Sequence, residues 1–356
     1  MFFRFIKKII NLLRSYSKAV DKVVSPRVGI GSTSVGIGST SVGIGSTSVG
    51  IGSTSVGIGS TSAGIGSSSA GIGSSSAGIG SSSINSSEGL TPYQFGYIAK
   101  YFSEQIDDLL DESMSMEANG KVYISQDHAT SGYMRNEDLW CGDLDITCVS
   151  PWNSSGGHKK AGTLVTPRHV IGAAHYEYSV GSVVRFVEKN DTVHDRTVTG
   201  KARHPNYKPH YPDLTIYTLD SDLPSTITPC SVMPSNYKSY LDNRSGIKIP
   251  CLGFDQEEKA LIIDWSAGGR MRTPTDSKRR IFHENKIGGD SGNPAFLVFE
   301  GELVLVTVWT YGGAGGGTPV ADHISDINTM IMTADTQAGV STNYTVTEAD
   351  FDSTNN

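Results

Sequence analysis

Ala161-Gly162-Thr163-Leu164-Val165-Thr166-Pro167-Arg168-His169-Val170-Ile171-Gly172-Ala173-Ala174-His175 is the stretch that decides how this chain is read. Residues 162–165 have the length and composition of a short strand, Pro167-Arg168 supplies a turn, and Val170-Ile171 starts a second strand. The small residues Ala173 and Ala174 let the backbone bend tightly and hold the His175 imidazole in place. Outward from here the same texture continues. Runs at 121–124, 182–187, 214–219, 247–252, 260–264 and 303–309 are broken by Gly, Pro, Asn and Asp, which predicts an all-β barrel or sandwich over residues 119–335.

Two further contexts carry chemistry. Asp213 opens the alternating stretch Leu214-Thr215-Ile216-Tyr217-Thr218-Leu219, after His204-Pro205-Asn206-Tyr207. A buried carboxylate there would accept from His175 Nδ1, fix the tautomer so that Nε2 faces outward, and stabilise the imidazolium. Asp220 and Asp222 follow the strand and compete for that role. Near the C-terminus, Gly289-Asp290-Ser291-Gly292-Asn293-Pro294 precedes the apolar Ala295-Phe296-Leu297-Val298. Gly289 permits a sharp backbone that aims its own N–H and that of Ser291 at a developing oxyanion, which makes Ser291 the candidate nucleophile. His158 and His169 are read as structural histidines.

In chain order these are His, Asp and Ser, the parts of an acyl-transfer machine. Together the three contexts resemble the chymotrypsin-like serine peptidases, over about residues 140–332. Gly162-Thr163-Leu164-Val165 and Ala173-Ala174-His175 match that family's strand–turn–strand before its histidine. His204-Pro205 with Tyr207 and then Asp213 matches its approach to the orienting acid. The resemblance implies a double β-barrel with the imidazole in the cleft between the barrels. It also implies a serine endopeptidase acting on protein or peptide substrates, with no cofactor or metal. Val308-Trp309-Thr310-Tyr311-Gly312 resembles the strand that runs beside the substrate. By position, Thr310 would belong to the substrate-binding strand and hydrogen-bond near the orienting acid, Tyr311 would wall the cleft, and Gly312 would pair its backbone with substrate. Asn285 falls six residues before the nucleophile, where relatives that prefer Lys or Arg carry a pocket-base aspartate. An uncharged base argues against that preference, and the adjacent Lys286 is expected to attract an acidic side chain instead.

The chain departs from the family pattern in three places. Tyr176 stands where a cysteine usually follows the histidine, and Asn293 replaces a second glycine. No Arg-(Ile/Val)-(Ile/Val)-Gly-Gly cleavage signature precedes the domain. In the family, the position of Asp290 pairs with a new N-terminal amine after cleavage or is held by other donors. What holds Asp290 is therefore the open question about the neighbouring N–H groups.

Residues 1–120 have no counterpart in that family. Phe2, Ile6, Ile9, Leu13, Tyr16, Val20 and Val23 form one helical stripe within a basic segment, 1–27, of net charge +6. It is too interrupted for a secretory signal or a membrane span. Its readings are an interfacial membrane helix, a short self-associating coil, or a stripe docked on another protein. Residues 28–83 are eight copies of a heptapeptide, first Val-Gly-Ile-Gly-Ser-Thr-Ser and later Ala-Gly-Ile-Gly-Ser-Ser-Ser. Two readings stand: a flexible Gly/Ser spacer, or extended turns or chains stacked into a thin fibre. A self-associating helix followed by such a stalk would resemble a fibrous attachment element of a virus particle, the rival to an enzyme. On that footing the expected location is extracellular or virion-associated.

An amphipathic helix is expected within 90–118, on Phe95, Ile98, Phe102, Ile106 and Leu109. A closing helix at 324–332 and an acidic, loose tail over 336–356 end the chain. Formal charge is −7 overall and −13 beyond residue 27, which argues against a nucleic-acid partner. Four cysteines permit two bridges, and the spacing suits Cys141–Cys148 and Cys230–Cys251. The absence of a Cys-x-x-Cys pair disfavours zinc.

Overall fold

The protein is seen here as a computed structural model. It describes the backbone of the repeat strands between Arg27 and Ser83, and residues 92–351 except 128–131, 152–159, 209–210, 242–247 and 267–269. The expected helix of residues 1–27 lies outside the described residues, apart from Arg27. The chain divides into two units, Met1–Leu90 with Asp350–Asn356, and Thr91–Ala349.

In the first unit each heptad from Thr33 onward contributes one five-residue strand, ending in a shorter strand at Ser82–Ser83. Alternate strands go to alternate sheets. Arg27–Ile30, Thr40–Ile44, Thr54–Ile58, Ser68–Ile72 and Ser82–Ser83 form one sheet, and Thr33–Ile37, Thr47–Ile51, Thr61–Ile65 and Ser75–Ile79 the other. Both are parallel, and the register places Val42 beside Val56 and Ile44 beside Ile58. Register partners within each sheet are two heptads apart, so equivalent heptad positions pair along it.

The second unit holds two barrel-like antiparallel sheets. The first runs Val149–Ser150, Gly162–Thr166, His169–Gly172, Thr215–Leu219, Val193–Arg203, Val183–Val187. Its two outer strands lie against each other, so it nearly closes. The second runs Ser231–Val232, Glu302–Tyr311, Pro294–Phe299, Ile249–Phe254, Ala260–Ser266, Arg270–Arg272, Gly316–Pro319, and Gly316–Pro319 pairs back onto Glu302–Tyr311 to close it. Only the short Ser231–Val232 strand pairs in parallel.

Several strands are buried throughout instead of alternating, because both of their faces are covered. Ile249–Phe254 and Pro294–Phe299 fill the second sheet on one side and take the helix Pro92–Asp107 on the other, with Phe102 and Ile106 buried. Against the first sheet lies the helix Ile324–Ala338, through Ile327, Met330, Ile331 and Ala334. It sits so close that a Cβ on Gly200 would come within 2.1 Å of the Ala334 carbonyl. This packing needs glycine there.

Three expectations change. The closing helix continues to Ala338, well past 332. Residues 336–351 are not a loose tail, because Val232 N–H donates to Thr347 O, Ala349 N–H donates to Val232 O, and Val346 is buried. The cysteines are four buried free thiols, so neither bridge is formed. Cys148 lies beside Cys230 and not Cys141, and the neighbouring thiol together with burial raises the Cys148 pKa. The reason is tertiary. Leu164 N–H donates to Cys148 O and Cys230 N–H donates to Leu164 O, so both cysteines flank one strand although 82 residues separate them in the sequence.

Candidate active site

His175 sits in the single turn Ala174–Tyr176, just beyond the strand His169–Gly172, with Ala173 and Ala174 buried beneath it. Asp213 lies ahead of the neighbouring strand Thr215–Leu219, and the pairing of Gly172 with Thr215 brings the two strand ends together. His175 Nδ1 is 2.5 Å from Asp213 Oδ2, and the His175 backbone N–H donates to Oδ1 at 2.8 Å. Asp213 is fully buried and the His175 side chain is 30% exposed. Burial alone would raise the Asp213 pKa, but the hydrogen bonds and charge from His175 outweigh it and hold the carboxyl below its ordinary range. An ionised Asp213 places the ring proton on Nδ1 and leaves the Nε2 lone pair available.

The second sheet also grips this acid. Asp213 N–H donates to Thr318 Oγ1 at 2.7 Å. Thr310 is buried and its hydroxyl acts on the carboxylate electrostatically, without a hydrogen bond of ordinary geometry. The sequence marked Thr318 only as part of a final strand resembling the family's pocket lining, and its contact with Asp213 spans 105 residues.

Ser291 comes from the turn before Pro294–Phe299, and its Oγ is 2.8 Å from His175 Nε2. The turn is built on glycine. Gly289 takes φ +110° and Gly292 φ +92°, which side chains rarely tolerate. A Cβ on Gly292 would also lie 2.9 Å from the Ala161 carbonyl, on the first sheet's side. Gly292 N–H donates to Trp309 O and Trp309 N–H to Asn293 O, which zips the turn to the strand Glu302–Tyr311. Asn293 Nδ2 adds a bond to Asp290 O, so the residue that replaces the expected glycine braces the turn. Among the described residues the Ser291 N–H makes no hydrogen bond, as an oxyanion donor requires.

Asp290 is held by backbone. Its Oδ1 accepts from Gln256 N–H at 3.0 Å and its Oδ2 from Ile287 N–H at 2.8 Å. These donors answer the question left by the sequence. Lys286 differs from expectation, because its side chain is buried behind the turn and is not presented to a ligand. Asn285 is exposed. Tyr311 is 43% exposed at the end of its strand, and the Gly312 carbonyl already accepts from Gly315 N–H.

One group of metal-ligand type is present among the described residues: His204, His323 and Asp326, with His204 Nε2 at 3.2 Å from His323 Nδ1 and 3.1 Å from Asp326 Oδ2. Asn206 N–H donates to His204 Nδ1, so the ring proton belongs on Nε2, the atom a metal would need. The group is therefore a hydrogen-bonded clasp between the Asp213 approach and the closing helix.

No known family model matches this sequence, and no curated protein matches it.

Proposed function

We propose that the protein is a serine endopeptidase with a double barrel of the chymotrypsin type over residues 119–335. The observation that carries this reading is the continuous chain from Asp213 through His175 to Ser291, at 2.5 and 2.8 Å. In the reaction, Ser291 Oγ attacks the peptide carbonyl carbon as its proton passes to His175 Nε2. Collapse of the tetrahedral adduct breaks the C–N bond, and the same proton leaves with the amine. Water then repeats the sequence on the acyl-enzyme, with Ser291 as leaving group. Asp213 keeps the imidazole oriented and balances its transient charge. The Gly289 and Ser291 N–H groups hold the oxyanion, and each such donor is worth about 3–4 kcal/mol in the transition state. Tyr311 and Gly312 are the residues proposed to meet the peptide, and the exposed Asn285 has the least support.

The test is covalent labelling of the full chain with a fluorophosphonate probe. Unmodified protein is expected to label at Ser291, and Ser291→Ala to lose the label entirely. Label that survives this substitution sinks the assignment.

A second reading, a surface or virion stalk carrying a peptidase-like domain, draws on the two parallel sheets of the repeat. In it, residues 1–27 drive self-association or membrane contact. Light scattering of residues 1–85 tests it, and a monomer would remove its basis.

A further inference from the structure

Behind the Ser291 turn lies a buried charge that the acyl-transfer steps do not use. The Lys286 side chain is 3% exposed, and its ammonium makes no hydrogen bond among the described residues. It rests 5.1 Å above the Trp309 ring. Its backbone is pinned, since Lys286 N–H donates to Gly313 O and Gly313 N–H donates back to Lys286 O. Two buried carboxylates act on it, Asp255 and Asp290. Both have their backbone donors: Asp255 Oδ1 accepts from the Glu257 and Lys259 N–H groups, and Asp290 from Gln256 and Ile287. Neither carboxylate has a salt bridge among the described residues within 4 Å.

We infer that Lys286 is the internal cation that keeps the Gly289–Ser291 turn in its working shape, by balancing the Asp255 and Asp290 carboxylates from within the intact chain. The inference rests on the peptidase reading above. It makes Lys286 a positioning residue, acting on Ser291 and its N–H through Asp290. Backbone amides fix the direction of the Asp290 carboxylate, but two buried negative charges on adjoining turns still repel each other. A buried ammonium that acts on both opposes that repulsion without a cleavage to create a new amine.

The electrostatics fit a group kept for function. Burial lowers the Lys286 pKa to about 8, against the upward pull of Asp255, Asp290 and Glu284, with Lys259 adding to the lowering. Because the folded value lies below the unfolded one, the charged form costs stability below pH 8, and that cost disappears as pH rises. A lysine present only for stability would be better replaced by an apolar residue.

The experiment is the pH dependence of fluorophosphonate labelling, from about pH 6 to 10, in the full chain, in Lys286→Met and in Asp255→Asn/Lys286→Met. Wild type is expected to slow as pH passes about 8. Lys286→Met should label about 100-fold more slowly at neutral pH and lack that alkaline limb. The single variant leaves two carboxylates without a cation, so the double variant, which loses one of them, is expected to regain thermal stability yet remain slow. Wild-type rate and profile in either variant overturns the inference, as does a wild-type profile that stays flat to about pH 9. Were the unmodified protein not to label at all, the peptidase reading itself would fall, a different result from a labelled protein indifferent to Lys286.

Discussion

Six residues apart, at the two ends of one strand, stand two histidine–aspartate pairs with opposite fates. His175 Nδ1 meets Asp213, and its other nitrogen meets Ser291 at a partly open surface. His169 Nε2 meets Asp335 at 2.8 Å, while its Nδ1 meets Thr166 Oγ1 at 2.7 Å, and the ring is fully buried. Asp335 takes three more bonds, from Thr218 Oγ1 and from the N–H and Oγ1 of Thr342, and so fastens the closing helix to the first sheet. The chemistry of the pairs is the same. What separates a candidate site from a rivet is access, and a serine that arrives from the other sheet.

The comparison breaks most sharply at Asp213. Asp213→Asn should slow peptide hydrolysis and labelling about 10⁴-fold, with the fold retained in circular dichroism. A loss under tenfold would make the two pairs functionally alike. Asp335→Ala should do the reverse. It strands buried donors and is expected to cost about 3 kcal/mol of stability, a fall of roughly 6–12 °C in Tm, with the labelling rate per folded molecule unchanged. A rate that falls with stability would mean the rivet also positions the site.

Acid sharpens the contrast further. Burial holds His169, His204 and His283 below the ordinary histidine value. Their folded pKa values lie below the unfolded ones, so their contribution is complete above roughly pH 6.5 and is lost as pH falls through the folded values. Asp213 and Asp335 are likewise lowered, each by hydrogen bonds and charge that outweigh burial, and their contribution fades only below roughly pH 4. Urea denaturation should therefore show stability declining in two stages. His169→Gln should flatten the first stage at a cost of about 1–2 kcal/mol at neutral pH. An unchanged slope would exclude His169 as a contributor.

Much of this was legible residue by residue. His175, Asp213 and Ser291 sit in short contexts whose local geometry is dictated by small residues, a strand start and glycines, and the three side chains do converge. His169 was read as structural, and it is buried at the start of its strand. The two barrel-like sheets followed from strand-length apolar runs broken by turn residues. The stacked reading of the repeat was available because its period is strict, although composition alone equally suits a spacer.

The unread part consists of contacts between residues far apart in the chain. Strand runs predict sheets but not which turn will lie behind another, so Gln256 beside Asp290, Thr318 beside Asp213 and Cys230 beside Cys148 had no local mark. Lys286 shows the limit most clearly. A lysine beside a candidate pocket residue reads as a surface charge, because burying an ammonium is costly where no carboxylate acts on it. The sequence by itself determined the chemistry on offer: the candidate nucleophile, base and acid, the glycines that bend the backbone, and the strict heptad. Tertiary structure alone decided that His169 pairs with Asp335, and which lysine points inward. Both depend on the electrostatic surroundings that only the closed sheets create.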